Sequence, residues 1–124
     1  MNREIKFRGK RIDNGEWVYG YYMAYHVTGG GKLYHHIKNT NSTYGVDPTT
    51  IGQFTGLKDK NGVDIYEGDV VKCHDHPTGE EDVTNDVIFQ NGMFMVRSSY
   101  FPLSDFGTAW TEIIGNINDN PELI

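Results

Sequence analysis

The residues best suited to chemistry are Cys73-His74-Asp75-His76 and the pair His35-His36, since thiolate, imidazole and carboxylate all ligate transition metals. Their spacing weighs against a metal. Neighbouring residues of a strand point to opposite faces, so Cys73 and His74 share an ion only if the chain turns there, as Pro77 just beyond would allow. A structural zinc site also needs a second ligand pair, and the chain has a single cysteine. The expectation is a polar loop without a metal. Nucleophilic catalysis requires a nucleophile, a base and a group that orients the base. Cys73 and five histidines supply the types, but the chain lacks G-x-S-x-G, H-E-x-x-H and C-x-x-C. Glu67 and Asp69 stand two apart, as an acid/base pair on one strand face would, yet the glycine between them argues for a turn. Gly29-Gly30-Gly31-Lys32 leads into a strand, not a helix, and is no phosphate loop. Neither catalytic residues nor a cofactor are expected, and the protein is read as non-enzymatic; the lesser alternative is an undescribed hydrolase or metal-dependent enzyme using Cys73 and nearby histidines, which would need an unusually reactive Cys73.

Charge sets the next limit. The 124 residues hold 11 Lys plus Arg against 17 Asp plus Glu, net −6, and this acidity argues against nucleic acid as a partner. The balance is uneven: residues 1–12 contain Arg3, Lys6, Arg8, Lys10 and Arg11 against Glu4, so they carry +4 and the remainder −10. In a strand, Ile5 and Phe7 share one face and Lys6, Arg8 and Lys10 the other. A solvated face is the expectation. The alternative is a nucleic-acid module, with Lys6, Arg8, Lys10 and Arg11 on phosphates and Tyr19 or Tyr21 stacking on bases. Asp75, Glu80, Glu81, Asp82 and Asp86 form an acidic stretch that reads as a loop.

The elements that must position these residues are strands. Period-2 alternation and turn dipeptides dominate, with no sustained helical periodicity. Strands are expected near Glu4 to Ile12, Glu16 to Tyr25, Lys32 to Lys38, Thr50 to Thr55, Val70 to His74, Val83 to Gln90, Met93 to Arg97 and Glu112 to Ile117. Asn14-Gly15, Asn61-Gly62 and Asn91-Gly92 each mark a hairpin, and Gly29-Gly30-Gly31 a fourth connection. Asn39 to Pro48 is expected as a polar stretch. Trp17, Tyr19, Tyr21, Met23 and Tyr25 share one face of their strand and are expected to cover a sheet as core. The turn Glu67-Gly68-Asp69 feeds a β-branched strand, as in small SH3-like barrels, with Gly68 taking a special backbone angle and Asp69 bonding the turn's amides.

Length points to one small domain and the alternation to an all-β one, with the polar stretch after Lys38 as the only divider between an N-terminal β portion over 1–48 and a barrel-like portion over 49–124. The lone cysteine, the absence of a 20-residue apolar run and the polar start imply the cytosol and no membrane.

Three stretches are similar to the YopX family of phage and prophage proteins: Arg3-Glu4-Ile5-Lys6-Phe7-Arg8, the run from Gln53 through Asn61-Gly62 to Val71, and Ile114-Gly115-Asn116-Ile117 with Asn120-Pro121-Glu122-Leu123. The resemblance implies an origin in a bacteriophage or prophage, hence the cytoplasm of a bacterial host, and an all-β fold whose C-terminal part is similar to an SH3-type barrel. It implies no activity, cofactor or catalytic residue. The function expected is that of a phage accessory protein acting through contacts with a host or phage protein, with a homo-oligomer as a way to protect its strand edges.

Overall fold

The computed structural model describes residues 4–26, 29–74, 82–97, 99, 102–106 and 110–124. Arg3, Asp75, His76, Pro77, Glu80 and Glu81 lie outside the described residues. The described chain is all-β, with ten strands: β1 Phe7–Lys10, β2 Trp17–His26, β3 Leu33–Lys38, β4 Thr43–Gly45, β5 Gly52–Lys58, β6 Asp64–Tyr66, β7 Asp69–Cys73, β8 Val83–Gln90, β9 Met93–Val96 and β10 Thr111–Asn116. Two compact units divide within β5, Met1–Phe54 and Thr55–Ile124.

In the N-terminal unit the antiparallel order is β4-β3-β2-β1, with the first residues of β5 beside β1. Register fixes the faces. Arg8 pairs with Tyr19 and Lys10 with Trp17, Tyr21 with Lys38, Met23 with His36 and Tyr25 with Tyr34, so these side chains share one side of the sheet. The other side carries Ile37 and, from the bridge after β4, Val46, both fully buried. Gly9 lets the backbone approach closely there, since a Cβ on it would sit 3.2 Å from Val46 Cβ. Thr50 fastens the end of β1: its hydroxyl accepts from Lys10 N at 2.8 Å and donates to Asp47 O at 2.6 Å.

The polar stretch after Lys38 contains a strand that the sequence reading missed, β4. Asn39 Oδ1 accepts from Asn41 N and Ser42 N at 2.9 and 3.2 Å, a side-chain-closed turn that returns the chain alongside β3. Three residues flanked by turn formers carry too little alternation to be read locally.

In the C-terminal unit, β6 lies beside β5, and a second antiparallel sheet runs β10-β7-β8-β9. β6 was likewise missed, being only three residues long. Ile65, Val71, Cys73, Val87, Val96, Leu103 and Phe106 form the core, with Leu57, Val83, Phe94 and Ile113 packed against it. The described residues close no barrel: between β9 and β10 they supply a 3-10 turn at Leu103–Asp105 and a bridge from Met95 to Pro102, with no strand to join the two sheet edges. At the β8–β9 turn, Asn91 and Gly92 both have positive φ, 55° and 79°, the geometry of a tight two-residue hairpin.

Gly68 has φ 93°, and Asp69 Oδ2 accepts from Tyr66 N at 2.7 Å. The Gly68 amide donates to Val87 O and its carbonyl accepts from Ile117 N, both at 2.9 Å. This turn therefore stitches β7 to β8 and to the residue following β10. No helix among the described residues is long and apolar enough to cross a membrane.

Candidate functional site

The most distinctive surface in the described residues is the side of the N-terminal sheet that carries Trp17, Tyr19, Tyr21, Met23 and Tyr25. These side chains were expected in the core. Trp17 is half-buried, but Tyr21 is 70% exposed, and Tyr19, Met23 and Tyr25 are exposed as well. Alternation identifies which residues share a face. Which face is covered depends on what packs across the sheet, and here Ile37 and Val46 bury the opposite one.

Register brings the basic residues of β1 onto the aromatic side. Lys10 Nζ lies 5.5 Å from the centre of the Trp17 ring, Arg8 Cζ 4.5 Å from the same ring, and Lys6 Nζ 4.7 Å from that of Phe54. Such cation–π contacts hold a cation over the face of a ring. Two residues of the nucleic-acid alternative, Arg8 and Arg11, lie where that reading does not need them. Arg8 is only 7% exposed; its guanidinium packs over Trp17 and is not a solvated contact. Arg11 follows the end of β1 on the opposite side, over Tyr44 at 4.7 Å, and forms a two-point ion pair with Asp13 at 2.9 and 2.6 Å. That hydrogen bonding holds the Asp13 carboxyl below the usual carboxylate range.

The structure thus unites Lys6, Arg8, Lys10, Tyr19 and Tyr21 and leaves Arg11 apart. It adds Tyr34 and Lys38, which sequence reasoning missed, and His36, which was weighed only as a metal ligand; only the pairing with β2 shows that Tyr34 and His36 join its aromatic side. Tyr25 and His36 rings stack at 5.0 Å and 11°. On the other side Tyr22 and His35 lie nearly parallel, with the Tyr22 hydroxyl 2.6 Å from His35 Nδ1. A depression is lined by Glu4, Ile5, Lys6, Tyr19, Gly20 and Tyr21. Glu4 lies 3.4 Å from Lys6 Nζ.

Cys73 and His74 part company. Cys73 is buried in the C-terminal core, its Sγ 3.8 Å from Thr111 Oγ1, whereas His74 Nδ1 lies 3.1 Å from Asp82 Oδ2. Among the described residues, no three of His, Cys, Asp and Glu converge on a point that could hold an ion. Burial pushes the Cys73 thiol up to about 11, opposite to what a nucleophile needs. Since an exposed thiol loses its proton near 9.0, this burial contributes stability that is complete below that pH and lost as pH rises through about 11. We expect native protein at pH 8 to react with a maleimide at least about tenfold more slowly than the urea-unfolded chain; equal rates would show an accessible thiol. Of Glu67 and Asp69, the Asp69 carboxylate is buried and accepts from Tyr66 N, closing the turn.

The family described as YopX protein matches residues 6–124. A crystal structure of protein EF1440 from Enterococcus faecalis is similar over 98% of this chain and 99% of its own, at 23% identity and a TM-score of 0.60, which is a likeness of fold. No curated protein matches significantly. With the family match running from β1 to the C-terminal turn, the chain belongs to the YopX family.

Proposed function

We propose that the protein is a non-enzymatic interaction module, made by a bacteriophage or prophage in the cytoplasm of its bacterial host and working through protein contacts. One observation carries this reading. The side of the N-terminal sheet on which Ile37 and Val46 are buried is exposed toward the far end of β2 and the start of β3, where Ala24, His26 and Leu33 face solvent. A sheet side that is core at one end and bare at the other fits a partner that continues the core. The partner is a host or phage protein or a second copy of the chain, the latter giving a homo-oligomer. In this reading the C-terminal unit is the scaffold, an open relative of the SH3-type barrel. The buried thiol supports the non-enzymatic part.

The test is an affinity pull-down of the tagged protein from nuclease-treated lysate of infected host cells, beside light scattering of the pure protein. A protein or second copy retained by the native chain and lost on Leu33→Asp, which changes an exposed residue, is the expected result. Monomer in solution together with no nuclease-resistant partner would overturn the reading.

A further inference from the structure

The opposite, aromatic side of the same sheet has a different chemistry. The chain is acidic as a whole, but its two units differ in sign. Residues 1–54 hold seven basic and four acidic residues, +3, whereas residues 55–124 hold four and thirteen, −9. From Trp17 through Val46 there is no Asp or Glu at all. The acidity that argued against nucleic acid is therefore carried by the C-terminal unit, and β2, β3 and β4 form an acid-free basic surface.

On that surface the aromatic spacing is regular. Successive residues on one side of a strand are about 6.8 Å apart, twice the rise of about 3.4 Å between stacked bases. That spacing leaves room along the strand for a base beside each exposed tyrosine, Tyr25 having one ring face already on His36. The depression lined by Tyr19 and Tyr21 lies at such a step, with Lys6 on its wall. Lys38, exposed and paired in register with Tyr21, stands on the far side, and Lys10 lies further along β1. Lysines flanking exposed rings are the arrangement by which proteins hold unpaired bases and their phosphates. A duplex would keep its bases stacked on one another, out of reach of these rings.

We propose that the side of the N-terminal sheet bearing Tyr19, Tyr21 and Tyr25 with Lys6, Lys10 and Lys38 binds single-stranded nucleic acid, the bases stacking on the tyrosines and the phosphates meeting the lysines. This activity is separate from the protein contacts proposed for the opposite side. Glu4, which lines the depression and lies 3.4 Å from Lys6 Nζ, opposes the strand there, so its neutralisation strengthens binding.

The test is fluorescence anisotropy of the full chain with labelled 15-mers of deoxythymidine and of uridine, and with a 15-base-pair DNA duplex. Binding to either single strand in preference to the duplex is expected. Affinity should fall about 20-fold between 50 and 200 mM salt, as for three phosphate contacts on a single strand. Tyr21→Ala, at an exposed position, should weaken binding at least about fivefold, Lys38→Ala should flatten the salt dependence, and Glu4→Gln should tighten binding. Lys72→Ala, an exposed cation of the C-terminal unit, should change nothing. Absence of single-strand binding at 50 mM salt, equal binding of the duplex, or indifference to Tyr21→Ala in protein of native circular dichroism would each overturn the proposal. A nuclease-resistant protein partner found alongside failure with every oligonucleotide would overturn it too, while leaving the protein-contact reading intact.

Discussion

Asp59→Ala is expected to lower the stability of the fold by about 3 kcal/mol, and the melting temperature by on the order of 10 °C. Asp59 is buried, 2% exposed, and its carboxylate is fully engaged by backbone. Oδ1 accepts from Asn61 N and Val63 N at 2.9 and 3.0 Å, closing the turn between β5 and β6, and Oδ2 accepts from Ile113 N at 3.1 Å. The neighbouring Lys60 N donates to Thr111 O at 2.8 Å, so the turn lies along β10 and covers its edge. Alanine strands three N–H groups, each costing about 1–3 kcal/mol where water cannot replace the lost partner. Asp59→Asn keeps one carbonyl oxygen for the turn but sets an amide donor against Ile113 N or the turn amides, so an intermediate loss is expected. Urea unfolding monitored by tryptophan fluorescence measures both. A loss under about 1 kcal/mol for the alanine variant would show that water satisfies these donors and that the carboxylate is dispensable.

Gly68→Val is the second large effect, with a loss of about 2–4 kcal/mol. At φ 93° a β-branched side chain collides with its own backbone, and Gly68 is itself buried, which leaves no open side toward which the residue could relax. The chain cannot adopt another angle without giving up the bonds to Val87 O and from Ile117 N, or the Asp69 cap on Tyr66 N. Gly68→Ala should cost less, because it adds strain without branching. A melting curve for the valine variant that overlays the wild type would mean that the turn reaches a negative φ at no cost.

Both residues fall in the run from Gln53 to Val71 that resembles the YopX family, yet only one of them was legible for its role. Gly68-Asp69 announces itself because the special angle and the side-chain cap are local chemistry. Asp59 looks like one more acid before a turn. Its bond to Ile113 joins residues 54 positions apart, and no local pattern encodes that. The same division explains the strands. β2, β8 and the Asn91-Gly92 hairpin were readable because their signals repeat over several adjacent residues, whereas β4 and β6 exist only through pairing with longer partners.

The candidate surface follows the same logic. Sequence by itself determined the all-β class, the turns, the alternation that groups Tyr19, Tyr21 and Tyr25, the alternation that groups Lys6, Arg8 and Lys10, and the basic excess at the N-terminus. Each depends on neighbours along the chain. Only the tertiary structure decided that these two groups share a side, that Tyr34 and Lys38 join them, that Arg8 is buried against the Trp17 ring while Arg11 turns away, and that the aromatic row faces solvent. Those outcomes rest on cross-strand register and on which side of the sheet finds apolar cover, and both are set by residues distant in sequence.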